Sequence, residues 1–181
     1  MTGYIGLLRA VNLGGSTQVS MDALGRLLAR RGFEDVRTVL QSGNVVFRSD
    51  ESTSDRLERK LQTEVRRGLG LSTEFFVRSA AEWRTILREN PFPAEADEDP
   101  AHLVVTVLKE APRAESWTAL RAAITGRERV QASGRQAYIV YPDGIGRSKL
   151  TAAFIERHLE TRGTSRNWNT VRKLNQLLPA G

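Results

Sequence analysis

Residues 36–47, VRTVLQSGNVVF, carry two short β-favouring runs on either side of a turn. The runs at 36–40 and 45–47 are rich in β-branched and aromatic side chains, which suit a half-buried sheet. Between them, Gln41-Ser42-Gly43-Asn44 supplies the glycine and asparagine that a tight hairpin needs. The stretch therefore predicts an antiparallel hairpin.

The segments around this hairpin extend it to the order β-α-β-β-α-β. One helix is predicted to begin at the cap Ser20 and to end at Gly32, and a second to cover residues 55–68 behind the cap Ser54. Apolar runs predict the outer strands, at 4–8 and 74–77. This is the split βαβ, or ferredoxin-like, pattern, in which a four-stranded antiparallel sheet packs two helices on one face.

The second half of the chain repeats the pattern as β-α-β-β-α. Its turn Ala132-Ser133-Gly134-Arg135 echoes the first turn, and a helix from about 168 to 178, stopped by Pro179, takes the place of the last strand. The predicted strands and helices are strands at 102–108, 130–132 and 137–141, and helices at 117–124 and 149–159.

The predicted fold class is therefore α+β, with two ferredoxin-like (split βαβ) subdomains, antiparallel sheets and a C-terminal helix. We expect the first subdomain over residues 1–79 and the second over 101–181. Residues 80–100 would hold a helix and an acidic, proline-rich linker that forms a surface loop or hinge.

Composition excludes several classes of function. The chain has no cysteine, which excludes disulfides, thiolate metal sites and cysteine nucleophiles, and only two histidines, too few for a His-rich metal site. We therefore expect no metal and no cofactor. No apolar run reaches about 18 residues, and the N-terminus lacks the basic region of a signal peptide. These features predict a cytoplasmic protein with no membrane contact.

Positive charge is concentrated near the C-terminus. The chain has a formal charge of +6, and residues 146–181 carry seven basic and two acidic residues, a net +5. A one-sided basic patch attracts phosphate, nucleic acid or an acidic protein partner. A solvated basic surface without any ligand would show the same charge.

Three motifs in order carry a resemblance to a known family. They are LLRAVNLGG at 7–15, QSGNVVF at 41–47 and TSRNWNTV at 164–171. Together the motifs resemble the bacterial domain-of-unknown-function family numbered 1697, over essentially the whole chain. The resemblance implies an α+β fold with two subdomains of ferredoxin-like character, but no established activity, substrate or catalytic residue. Small departures occur at Ala10-Val11 and at Ser165, where a second threonine is common.

Two candidate ligand-binding segments lie in the first half. In the first segment, glycines after a buried strand would let backbone N–H groups turn toward an anion; its candidates are Arg9, Asn12, Gly14 and Gly15. The alternative is a glycine turn in which Arg9 pairs with a carboxylate. The second segment offers Ser42 and Asn44, although a tight turn alone explains both residues, and Ser42 has no evident histidine base.

Two further candidates lie in the basic C-terminal segment. Ser148 is predicted to cap a helix whose first turn would hold Lys149, which opposes the helix dipole unless an anion or a carboxylate lies nearby. In the second of these segments, residues 164–170, Asn167 or Asn169 would cap the last helix beside Arg166. Trp168 would stack on a base or fill the core.

These segments favour binding of a phosphate-bearing ligand, namely a nucleotide, a nucleic acid or a phosphometabolite, at basic helix N-termini. The sequence has no RNP-type aromatic pair on a predicted strand, so it does not indicate a standard RNA-recognition module. One alternative is a protein-interaction or scaffold protein whose motifs are purely structural. Another is a metal-independent enzyme that uses the cleft these segments would form if they converge, with Lys149, Tyr4 and Ser148 as proton-transfer groups.

Overall fold

A computed structural model of the 181-residue chain describes residues 1–9, 20–39, 43–51 and 53–179. The candidates Asn12, Gly14, Gly15 and Ser42 lie outside the described residues. The chain divides into two compact units, one of Ile86–Lys173 and the other of Met1–Thr85 together with the chain from Leu174 onward. These units group the chain differently from the expected subdomains 1–79 and 101–181.

The first unit contains a four-stranded antiparallel sheet in the order β2-β3-β1-β4. The last strand, β4, runs without a loop into the helix α3. The elements in chain order are β1 (Thr2–Leu8), α1 (Met21–Arg30), β2 (Glu34–Val39), β3 (Asn44–Ser49), α2 (Ser54–Leu69), β4 (Phe75–Ser79) and α3 (Ala80–Arg88), and the division between the units falls within α3.

The second unit contains a sheet of the same topology, in the order β6-β7-β5-β8. This arrangement confirms the predicted fold class. The elements are α4 (Pro93–Glu98), β5 (Leu103–Leu108), α5 (Ala114–Ala123), β6 (Arg129–Ser133), β7 (Gln136–Val140), α6 (Ala152–Leu159), β8 (Gly163–Asn167) and α7 (Trp168–Leu177), and the second unit ends within α7.

Each sheet packs one face against two helices. Alternate residues of a strand point to the same face, and the apolar ones form the face that the helices cover. In the first unit this core is formed by strand residues such as Tyr4 and Phe47 against Leu28 of α1 and Leu61 of α2. The second core is built in the same way, from Val104, Ile139, Leu120 and Ile155. Burial of these side chains is the main stabilising term.

The predicted ends of α1 are confirmed. The Ser20 hydroxyl accepts a hydrogen bond from the Ala23 amide (3.4 Å). At the other end Gly32 has φ +84°, and the Phe33 amide donates to the Leu28 carbonyl (3.2 Å), as in a Schellman motif.

The cap predicted for α2 was wrong by one residue. Thr53, with an extended backbone, accepts from the Arg56 amide (3.4 Å), and Ser54 is the first helical residue. The Ser54 hydroxyl instead donates to the Glu82 carboxylate (2.9 Å). Thr53 and Ser54 both have hydroxyl groups that can cap a helix. Because the Ser54 hydroxyl bonds to Glu82, Thr53 is the residue that caps α2.

Two predictions in the second half also need correction. A strand does complete the second sheet, since Gly163–Asn167 pairs with β5 before the last helix begins. Its small polar residues show no apolar alternation, so the sequence pattern missed it. The segment 90–100 is not simply a loop, because Pro93 takes the first position of α4, where a proline needs no amide.

The strand registers align the two halves of the chain residue by residue. Asn44 pairs with Leu7, and Gln136 pairs with Val107. The structural counterpart of Asn44 is therefore Gln136, and the echo between the two turns in sequence is one residue out of register.

Gly43 in the first hairpin should be less replaceable than Gly32 at the end of α1. It has φ +76°, and a Cβ placed on it would lie 2.9 Å from the Leu8 Cβ. Gly32 has a similar φ of +84° but open space around it. We expect Gly32→Ala to lower the free energy of unfolding by about 1 kcal/mol and Gly43→Ala by at least about 2 kcal/mol, because only the second adds a clash. Urea denaturation of both variants measures the difference, and equal losses would contradict this account.

Candidate functional site

Arg9 is held by a carboxylate at the end of the first sheet. Its amide donates to the Glu74 carbonyl (2.9 Å), and its Nη1 lies 3.1 Å from Glu74 Oε2. The Thr73 hydroxyl donates to the Arg9 carbonyl (3.2 Å). The structure thus favours the paired alternative for Arg9, while the role of the glycine loop that follows remains a prediction.

Asn44 closes the hairpin from inside. It is fully buried, and its Nδ2 donates to the Val39 carbonyl (3.0 Å). Next to it, the Gly43 carbonyl accepts from the Leu8 amide (2.7 Å). The described ends of the first two motifs therefore meet at one end of the first sheet, and both contacts stabilise the turn.

The prediction that Ser148 caps a helix was wrong. Residues Ile145–Arg147 form a short 3-10 turn, and α6 begins only at Ala152, with Thr151 accepting from the Phe154 amide (3.2 Å). The Ser148 hydroxyl is bonded to Glu128 and accepts from the Leu150 amide (2.9 Å). Lys149 is exposed outside the helix, so it does not oppose the dipole.

Four predicted residues come together where β8 passes into α7, namely Arg166, Asn167, Trp168 and Asn169. Asn167 is the cap, since its Oδ1 accepts from the Thr170 amide (3.0 Å). Asn169 is exposed in the first turn. The Trp168 amide donates to the Pro100 carbonyl (3.2 Å). We call these four residues, with Ser165, the β8–α7 junction.

Arg166 is the cation of this junction. Its Nη1 donates to the Thr164 hydroxyl (2.9 Å) and to the Ser165 carbonyl (2.8 Å). Desolvation by burial lowers the pKa of Arg166 to about 10, so the guanidinium is still charged at neutral pH. Because the side chain is nevertheless partly exposed, an anion can approach a charge that water solvates poorly.

Trp168 is only 4% exposed and belongs to the interior, which supports the core-filling alternative. Its indole Nε1 is buried and has no hydrogen-bond partner among residues 1–9, 20–39, 43–51 and 53–179. A buried donor without an acceptor costs about 1–3 kcal/mol.

The outer edge of β8 presents a row of backbone amides. The Lys109 amide donates to the Arg162 carbonyl (2.9 Å), which makes these two residues a hydrogen-bonded pair of the ladder. Since such pairs alternate in an antiparallel ladder, the amides of Gly163, Ser165 and Asn167 point away from β5. Sequence reasoning missed these groups because backbone amides leave no trace in residue type.

A cleft of about 440 Å³ lies at the start of this edge. Basic and acidic side chains both line the cleft, whose walls are Lys109, Glu110, Glu156, Glu160, Thr161 and Arg162. Glu156 also accepts the Gly163 amide through Oε1 (3.0 Å), so the cleft adjoins β8.

The described part of the chain lacks two kinds of feature. It contains no group of three or more acidic or histidine side chains placed to hold a metal ion. In the same part of the chain, no helix combines the length and the apolar character needed to cross a membrane.

The fold defines an α+β protein built from two copies of a four-stranded ferredoxin-like unit. The chain belongs to the family DUF1697, described as a protein of unknown function, whose model matches residues 1–138. Among solved structures it is similar to the conserved bacterial protein SP0830 from Streptococcus pneumoniae, with a TM-score of 0.73. That match has 24% identity and covers 97% of this chain and 98% of the other, so the two proteins share a fold. No curated protein matches the chain.

The two candidate caps of α7 can be separated by mutation. We expect Asn167→Ala to lower the free energy of unfolding by about 1 kcal/mol, because the Thr170 amide loses its acceptor. Asn169→Ala should change it by less than about 0.5 kcal/mol, since that side chain is exposed. Thermal unfolding of both variants provides the measurement, and a larger loss for Asn169→Ala would overturn the assignment.

Proposed function

We propose that the protein binds a phosphate-bearing ligand at the β8–α7 junction, with Arg166 as its main cationic contact. One observation carries the proposal: a guanidinium desolvated enough for its pKa to fall to about 10 remains partly exposed, one residue before the cap of a helix. A phosphate at this place would form charge-assisted hydrogen bonds with Arg166.

The surroundings of Arg166 support the same class of ligand. α7 has ten residues, and its N-terminus adds a partial positive charge to that of the guanidinium. The C-terminal segment 146–181 is strongly basic, which would raise the local concentration of anions.

The burial of Trp168 bears on which part of the ligand is recognised. Since the side chain is 4% exposed, a base would find little of its ring surface to stack on. We therefore expect the phosphate group to be recognised, with little discrimination among bases. Within the proposal, nucleotides and phosphometabolites are favoured over sequence-specific nucleic acids.

The binding test compares Arg166→Gln with Lys173→Ala. Glutamine keeps an N–H donor for the Thr164 and Ser165 contacts but removes the charge, whereas Lys173 is an exposed cation on the same helix. The melting temperature is measured with inorganic phosphate, triphosphate, ATP and a short single-stranded oligonucleotide, at low salt and at about 0.2 M salt. A ligand at about 100 times its Kd should stabilise the wild type by about 2.7 kcal/mol, a shift of several degrees.

We expect this shift in the wild type and in Lys173→Ala but not in Arg166→Gln. Steep weakening with salt for the oligonucleotide alone would indicate the nucleic-acid form of the proposal. A wild type that none of these compounds stabilises, or an Arg166→Gln variant that responds like the wild type, would overturn the proposal. In the first case, an acidic protein partner becomes the stronger candidate.

A further inference from the structure

The junctions β4–α3 and β8–α7 are the same element built twice. Arg78 pairs with Ile5 of the central strand, and Arg166 pairs with Val105 of the other central strand. Both guanidinium groups fold back through Nη1 onto the carbonyl of the preceding residue, at 2.8 Å in each case. One half of the chain therefore serves as a structural reference for the other.

In the first half the element is completed by two carboxylates from the protein itself. At the outer edge of β4, the Val77 amide donates to Glu58 Oε1 (2.8 Å), and the Ser79 amide donates to Glu82 Oε2 (2.7 Å). Glu82 also completes a capping box, because its amide donates to the Ser79 hydroxyl (3.2 Å). Glu58 Oε1 lies 4.0 Å from Arg78 Nη1, and both side chains are buried.

The counterparts of these two carboxylates can be found from a third contact that both halves share. Gln62 accepts the Phe75 amide (3.2 Å), and Glu156 accepts the Gly163 amide (3.0 Å). Phe75 pairs with Leu8 as Gly163 pairs with Leu108, so the two contacts are equivalent. One helical turn before Gln62 stands Glu58.

In the second half both carboxylates are missing. One turn before Glu156 stands Ala152, in the place of Glu58, and three residues after the cap Asn167 stands Thr170, in the place of Glu82. Across the residues that the structure describes, no side chain accepts from the outward amide of Ser165 or Asn167. The counterparts of these two amides in β4 are the ones that bind Glu58 and Glu82.

A further observation supports a ligand at this edge. The edge is accessible, since Ala152 is exposed and Ser165, Arg166 and Asn167 are partly exposed. An edge that was only structural would gain from the acids that the first half uses.

From these observations we infer that the ligand carries two anionic groups, which take the places of the Glu58 and Glu82 carboxylates. One group binds the Ser165 amide beside Arg166, and the other binds the Asn167 amide at the start of α7. Amides two residues apart on a strand are separated by about 7 Å. This spacing favours a small molecule with two or more phosphoryl groups, such as a triphosphate chain or a bisphosphate, over a single phosphate. The inference rests on the proposed function.

The test restores each missing carboxylate. Ala152→Glu and Thr170→Glu would each place an acid where the first half has one, and the acid would compete with the ligand. Ala153→Glu and Gln176→Glu are the matched controls, because they add the same charge at exposed positions on the same helices, outside the β8–α7 junction. Binding of inorganic triphosphate and of inorganic phosphate is measured by calorimetry, together with the melting temperature without ligand.

We expect the wild type to bind triphosphate at least about 10-fold more tightly than phosphate. Ala152→Glu and Thr170→Glu should each weaken triphosphate binding by about 10-fold or more, and the controls by less than about 3-fold. Without ligand, Thr170→Glu should raise the melting temperature by about 1–3 °C relative to the wild type, since it completes a capping box.

The failures can be told apart. If Arg166→Gln abolishes binding while Ala152→Glu and Thr170→Glu bind as the wild type does, the proposed function stands and the inference is overturned. Equal affinity for phosphate and triphosphate would also overturn it. If the wild type binds neither compound, the proposed function fails. If, in addition, Thr170→Glu does not raise the melting temperature, the claim that the Asn167 amide lacks an acceptor is wrong as well.

Discussion

Both sheets depend on a central strand, β1 or β5, that is paired on each side, while β4 or β8 next to it has one free edge. A free edge leaves alternate backbone amides without a ladder partner, and such groups need acceptors when they are removed from water. In the first unit, helix α2 supplies two of these acceptors through Glu58 and Gln62. The position and rotation of α2 against the sheet thus matter for hydrogen bonding as much as for the apolar core. An edge covered by side chains also cannot pair with a strand from another molecule.

Much of the fold could be predicted from the sequence because the decisive residues act locally. Ser20 and Gly32 delimit α1 through contacts within a few residues, and the first hairpin is set by its glycine and its β-branched flanks. β8 could not be recognised in this way, since its residues Gly-Thr-Ser-Arg-Asn lack the alternation of a half-buried strand. Its conformation follows from pairing with β5, which is a long-range interaction.

The candidate site was harder to predict for two physical reasons. Ser148 and Thr151 are both good capping residues three positions apart, and Glu128, distant in sequence, binds the first and leaves the second as the cap. At the junction, the sequence indicates Arg166 and Asn167 by residue type. It does not reveal the outward amides of Ser165 and Asn167, because their direction depends on the register with β5. Comparison of the two halves requires the strand registers too, as the correspondence between Asn44 and Gln136 shows.

The strand β8 ends at the residue that caps α7, so no loop separates the two elements. A connection of this kind has no compliant segment that could absorb a displacement. A small movement of the edge of β8 would therefore shift the first turn of α7 with it, because the residue that caps the helix belongs to the strand.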